Sequence, residues 1–188
     1  MRQFSNHIVV MIINKCSVLF KKKRSEKMNT DEKFYKKLEL YPIIKQTILI
    51  YDSVERLKYL INLRGNGIPD DLYAVYLRMC IQMDTQDIPL NILHEAFEGI
   101  TKEMIMYDSE LEDFFNLPEI ITIFRGTDCN EDPPRISWSL LEEKAKWFYN
   151  GKMFKAEIPK DSILAFFNQN TDEKEVLVLL ESGYSVIY

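Results

Sequence analysis

Leu117-Pro118-Glu119-Ile120-Ile121-Thr122-Ile123-Phe124-Arg125-Gly126 is the stretch over which the chain changes character. Upstream of it, apolar residues recur every three or four positions. From Ile120 onward they come as short β-branched and aromatic runs, the pattern of strands. The pattern predicts strands at 120–124, over Ser137-Trp138-Ser139, and at 152–158, 163–167, 175–180 and 184–188. Turn residues separate them: Pro133-Pro134, Asn150-Gly151, Pro159, the segment 168–171, and Ser182-Gly183. One helix interrupts the series at 140–149, with Leu141, Ala145 and Phe148 on a common face. Helices first and strands last make an α+β chain, divided into a helical region over 29–117 and a compact strand-rich module over 118–188.

The helical region has readable punctuation. Thr30 is placed to cap a helix over 31–40 with an acidic first turn. Pro42 fits the first turn of a long second helix, whose apolar positions Ile44, Ile48, Tyr51, Val54, Leu57 and Ile61 keep helical spacing until Gly65-Asn66-Gly67. Those glycines follow a helix rather than a strand and lack a third partner, so they form a helix stop and not a phosphate loop. A third helix is expected from Pro69, a fourth over 89–106, and a short one over 110–116 capped by Ser109.

At 188 residues, 46% hydrophobic and 28% charged, the chain can bury a full core. A net charge of -5 argues against affinity built on wrapping nucleic-acid phosphates with the whole surface, and 119–188 holds twelve Asp and Glu against eight Lys and Arg. Cys16, Cys80 and Cys129 are odd in number and widely spaced, which predicts neither disulfides nor zinc and fits a reducing, cytoplasmic setting. His94 lacks the second histidine of a metalloprotease helix, so no metal is expected. The apolar run 8–20 is too short and too interrupted to span a membrane, and its basic flank falls on the wrong side for a signal peptide. Residues 1–28 are expected to be a poorly ordered or dispensable extension, with an amphipathic surface anchor as the competing reading.

Three features of the strand-rich module carry chemistry. Arg125, at the end of a strand and followed by Gly126, can offer a planar fork of donors to phosphate oxygens, although an Arg-Gly pair is usually a solvated turn. Ser137 and Ser139 stand two apart on a strand, so their hydroxyls share a face while Trp138 takes the other. Ser139 also begins a capping-box sequence with Glu142, which by itself accounts for that serine but not for Ser137. Glu173 and Glu175 again share a strand face, where mutual repulsion favours one of them as an acid or base; alone, such a pair is more often a charged strand entrance.

In that order, Arg125, then Ser137-Trp138-Ser139 with a helix directly after it, then Glu173-Lys174-Glu175 before an apolar run, the module resembles the arginine-serine-glutamate class of ADP-ribosyltransferases. The resemblance covers about seventy residues, 119–188, and departs from the class pattern at Trp138, where a smaller residue is usual. It implies an ADP-ribosyltransferase-like split β-sheet and NAD as substrate, with no metal. It further implies that Arg125 holds the NAD phosphate and ribose region and that the Gly126 backbone bonds the nicotinamide amide. Ser137 would orient the catalytic glutamate, Trp138 and Ser139 would shape the pocket, and Phe148 would stack on nicotinamide. Glu175 would bind the nicotinamide-ribose hydroxyl and Glu173 would activate the incoming nucleophile. The acceptor implied is macromolecular, a protein arginine or a nucleic acid, and family habit suggests a toxin neutralised by an antitoxin or attended by a chaperone. Two other readings stand beside this one: an NAD glycohydrolase using the same residues, and a helical interaction protein whose C-terminal module has no activity.

Overall fold

A computed structural model of the protein describes residues 42–83, 88–128, 136–168, 174–180 and 182–187. The extension at 1–28, the helix expected over 31–40 and the carboxylate Glu173 lie outside these residues. Among the described residues, six α-helices precede the sheet: α1 (Pro42–Ile50), α2 (Ser53–Gly65), α3 (Asp70–Met83), α4 (Leu90–Phe97), α5 (Lys102–Ile105) and α6 (Asp108–Phe115). The strands are β1 (Ile120–Asp128), β2 (Ser137–Ser139), β3 (Gly151–Pro159), β4 (Ala165–Phe167), β5 (Glu175–Leu177) and β6 (Tyr184–Val186). Between β2 and β3 lie a one-turn helix, α7 (Glu142–Ala145), and a 3-10 turn over Lys146–Phe148. The chain is therefore α+β, with helices first, and its strands form a single antiparallel sheet in the order β4-β5-β2-β1-β3-β6.

Two helices expected to be long are each broken in two. The helix running through Ile61 stops at Ile50 and restarts at Ser53 because Asp52 caps the second segment, its carboxylate accepting from the Glu55 N–H at 2.9 Å. Arg56 then folds back to satisfy α1, donating from Nε to the Ile48 carbonyl at 3.1 Å and from Nη2 to the Tyr51 carbonyl at 3.0 Å. The expected 89–106 helix ends at Phe97, where Gly99 takes φ +69 and turns the chain before α5. The short helix starts at Asp108 rather than Glu110: Tyr107 is its N-cap, and Glu110 reaches back to accept the Tyr107 N–H at 2.9 Å.

β1 is the central long strand and pairs along its whole length with β3, from Ile120 opposite Pro159 to Asp128 opposite Gly151. Its alternation puts Ile121 and Ile123 on one face, with Ile158, Ala156 and Phe154 of β3 beside them, and all five are buried. This face packs on the helices in one continuous core, which takes in Leu57, Leu60, Tyr73 and Leu77 as well as Trp138, Phe166 and Val176. The change of pattern near Pro118 is thus a change of secondary structure and not a break in the core.

Candidate active site

Arg125, Ser137 and Glu175 come from three neighbouring strands in the sheet, β1, β2 and β5. The registers Phe124 opposite Ser139 and Ser139 opposite Glu175 set their faces. Period-two alternation then places Ser137, Ser139, Glu175 and Gly126 on the face opposite Ile121 and Ile123. On that face the Ser137 hydroxyl donates to Glu175 Oε1 at 2.5 Å. Arg125 leaves β1 on the other face, yet its Nη1 donates to the main-chain carbonyl of the same Ser137. The guanidinium and the carboxylate are therefore tied to one residue, from its two sides. All three side chains are only partly buried.

The chain enters β5 through Lys174, a non-glycine residue at φ +49, and the Lys174 carbonyl accepts the Leu140 N–H at 3.0 Å. A left-handed residue directly before Glu175 costs about 1 kcal/mol for a residue with a Cβ, and backbone of this kind collects where a side chain must be aimed. Ser139 turns the chain into α7: its Oγ accepts the Leu141 N–H at 3.0 Å, two residues on, and Leu141 is the helix N-cap. The expected capping box from Ser139 to Glu142 is thus replaced by a tighter serine turn, because the helix starts two residues later.

Gly126 has a physical requirement of its own. A Cβ at this position would lie 2.1 Å from the Ala145 carbonyl oxygen, 2.8 Å from the Tyr149 nitrogen and 3.0 Å from the Phe148 carbonyl carbon. The segment from α7 through the 3-10 turn is laid directly on the Gly126 backbone, and the Asn150 N–H closes it by donating to the Thr127 carbonyl at 3.1 Å. Phe148, one of the side chains of that segment, is 59% exposed. Trp138 is placed differently: it is 2% exposed, in the core, with its ring centroid 6.5 Å from that of Tyr184. The structure therefore sets Gly126, Ser137, Ser139 and Glu175 on one face, ties Arg125 to the Ser137 carbonyl from the opposite face, and buries Trp138 in the core as an anchor for β2.

One polar cluster escapes the sequence reading. Arg78 and Glu110 are 1% and 0% exposed and form a two-pronged ion pair at 2.5 and 2.8 Å. The guanidinium lies between the rings of Tyr107 and Phe167, 3.9 and 4.1 Å from their centroids. Glu110 also accepts the Asn168 N–H at 3.3 Å, and Phe167 pairs across β4 and β5 with Glu175. The pair thus clamps the strand adjacent to the catalytic candidate. Its only sequence signal is an arginine within the otherwise apolar helix 72–81, and its partner is 32 residues away.

Elsewhere, a cavity of about 540 Å³ is lined by His94, Glu95, Phe97, Glu98, Leu164 and Leu179. Among the described residues, no group of three His, Cys, Asp or Glu side chains is placed to hold a metal ion, and no helix is long and apolar enough to cross a membrane. No family model, no curated protein and no solved structure matches the chain.

Proposed function

We propose that the chain is an NAD-dependent ADP-ribosyltransferase of the arginine-serine-glutamate class, with Glu175 as its catalytic carboxylate and 118–188 as an ADP-ribosyltransferase-like module. One observation carries the reading: the Ser137 hydroxyl donates to Glu175 Oε1 at 2.5 Å while the Ser137 carbonyl accepts from Arg125. A serine whose hydroxyl fixes a carboxylate and whose carbonyl holds a guanidinium links the two charges that NAD cleavage needs. The guanidinium holds the diphosphate, as a planar fork of donors does well. The carboxylate faces the nicotinamide ribose, where positive charge grows.

The reaction follows from that placement. The bond between ribose C1′ and the nicotinamide nitrogen breaks, and nicotinamide leaves with the bonding pair. The ribose passes through an oxocarbenium-like state that the fixed Glu175 carboxylate stabilises. An acceptor nucleophile then uses its lone pair to form the new bond at C1′, and its proton passes to a base, the role proposed for Glu173. Gly126 offers its backbone to the nicotinamide amide and Phe148 its ring to the nicotinamide plane. Ser139 borders the pocket and starts the helix that covers Gly126. Because Ser137 holds Glu175, the carboxylate is positioned for the chemical step.

The test is nicotinamide release from NAD by purified protein, with and without cell extract. Glu175→Gln is expected to lower turnover by at least about a hundredfold while the fold, read by circular dichroism, is unchanged. Equal turnover in Glu175→Gln, or no release with any extract, overturns the proposal. With adenylate-labelled NAD, separate digestion by protease and nuclease shows which acceptor carries the label, and free ADP-ribose alone means that water is the acceptor.

A further inference from the structure

We infer that the segment 144–155 beside the proposed active site is a docking platform for single-stranded nucleic acid, which stacks on Trp147 and Tyr149 and pairs its phosphates with Lys144 and Lys155. The inference deepens the proposed function by naming the acceptor class of that site, and it rests on that reading only for what happens after binding.

Three consecutive aromatic side chains, Trp147, Phe148 and Tyr149, are 69%, 59% and 43% exposed. A fold that buries Trp138, Phe154, Phe166 and Phe167 to within 2% has no shortage of core positions, so three adjacent rings left in water need another reason. The rings stand on a rigid base, because the backbone of 145–149 is pressed onto Gly126 and tied to Thr127 through Asn150. That base covers β1 at Gly126, on the sheet face that also carries Ser139 and Glu175 and opposite the face from which the Arg125 side chain leaves. The segment that carries the rings thus lies on the same sheet face as Glu175.

The charge of the segment selects the occupant. Residues 144–156 contain four lysines and no carboxylate, within a chain whose net charge is -5. The Lys144 ammonium stands 3.7 Å from the Trp147 ring centroid, so ring and cation form one surface. Lys155 pairs across the sheet with Phe124 and shares its face with Ser139 and Glu175. Lys146 is already engaged by Glu142 at 2.8 Å and contributes little. Exposed rings interleaved with cations are what an unpaired strand needs, since each base has an open face to stack and each step carries a phosphate. A double helix hides its base faces and a purely apolar protein partner has no use for the lysines.

The experiment is fluorescence anisotropy of the full chain with a labelled single-stranded RNA 20-mer and its DNA counterpart, without NAD, over a salt series. Binding that weakens with salt and quenches Trp fluorescence is expected. Trp147→Ala is expected to weaken it about tenfold. Lys144→Gln combined with Lys155→Gln should flatten the salt dependence. Glu175→Gln should bind like the parent, which separates failure of the platform from failure of the chemistry. RNA preferred over DNA, or the reverse, identifies the acceptor within the class. No binding at low salt, or binding indifferent to Trp147→Ala and to the lysine pair, overturns the inference. So does sedimentation showing that the parent self-associates and Trp147→Ala does not, which would make the patch an interface between copies.

Discussion

At the scale of single residues, the site depends on positions where a side chain or its absence is dictated by close approach. Gly126 is the sharpest case. An added methyl would meet backbone atoms of Ala145, Phe148 and Tyr149, none of which can rotate away. Gly126→Ala is therefore expected to cost about 1–3 kcal/mol, as overpacking does, measured as a lower urea midpoint at unchanged slope. An unchanged midpoint would show that the segment 145–149 can lift off the strand without cost. Lys174 is the complementary case, where a side chain is tolerated at φ +49 so that Glu175 enters β5 in register with Ser139. Sequence reading singles out Arg125, Ser137 and Glu175 as candidates because their chemistry and their strand spacing are local. Alternation also gives Trp138 the face opposite the two serines, but not that this face is the core, where the ring is 2% exposed and cannot line a pocket, nor that Gly126 is covered by the segment 145–149.

At the scale of elements, the buried pair Arg78–Glu110 joins α3, α6 and the end of β4. Removing one partner leaves an uncompensated charge in the core. Arg78→Met alone is expected to destabilise the fold by about 3–5 kcal/mol, whereas Arg78→Met with Glu110→Gln, which removes the buried charge and keeps an acceptor for the Tyr107 N–H, should recover part of the loss. Chemical denaturation of both variants checks this, and a single variant within about 0.5 kcal/mol of the parent would remove the pair from any structural role. Because Phe167 is stacked on this arginine and paired with Glu175, loosening the clamp should also disturb the proposed site. Helix breaks belong to this scale too. Asp52 and Gly99 are visible in the sequence, but apolar periodicity runs straight through both, and only the cap to Glu55 and the φ of +69 at Gly99 end the helices there.

At the scale of the whole molecule, helices and sheet share one core, and Tyr73 and Cys80 lie within it. Burial pushes the Cys80 thiol up to about 12 and raises the Tyr73 hydroxyl as well, and both lie on α3. A raised folded value means stability is fully present below the unfolded pKa and is lost as pH rises through the folded one. For Cys80 that window runs from about 9 to about 12. Urea midpoints are accordingly expected to fall between about pH 8 and pH 10.5, and to fall less in Cys80→Ala. Equal slopes in the two proteins would show that the thiol does not titrate in this way.

The sequence by itself determined the order of elements, the change from helical to strand periodicity near Pro118, and the residue types gathered at Arg125, Ser137 and Glu175. These are local properties: propensity, alternation and turn chemistry act over a few residues and leave their mark on the chain. Only the tertiary structure decided that β5 lies beside β2 rather than beside the strand that follows it, which brings a carboxylate 38 residues from Ser137 to hydrogen-bond distance. It alone decided that Arg78 finds Glu110 and that the segment 145–149 rests on Gly126, leaving its aromatic rings in water. Such pairings are set by which faces bury one another across the sheet and the helices, and that competition is settled by packing of the whole core rather than by any neighbourhood of the sequence.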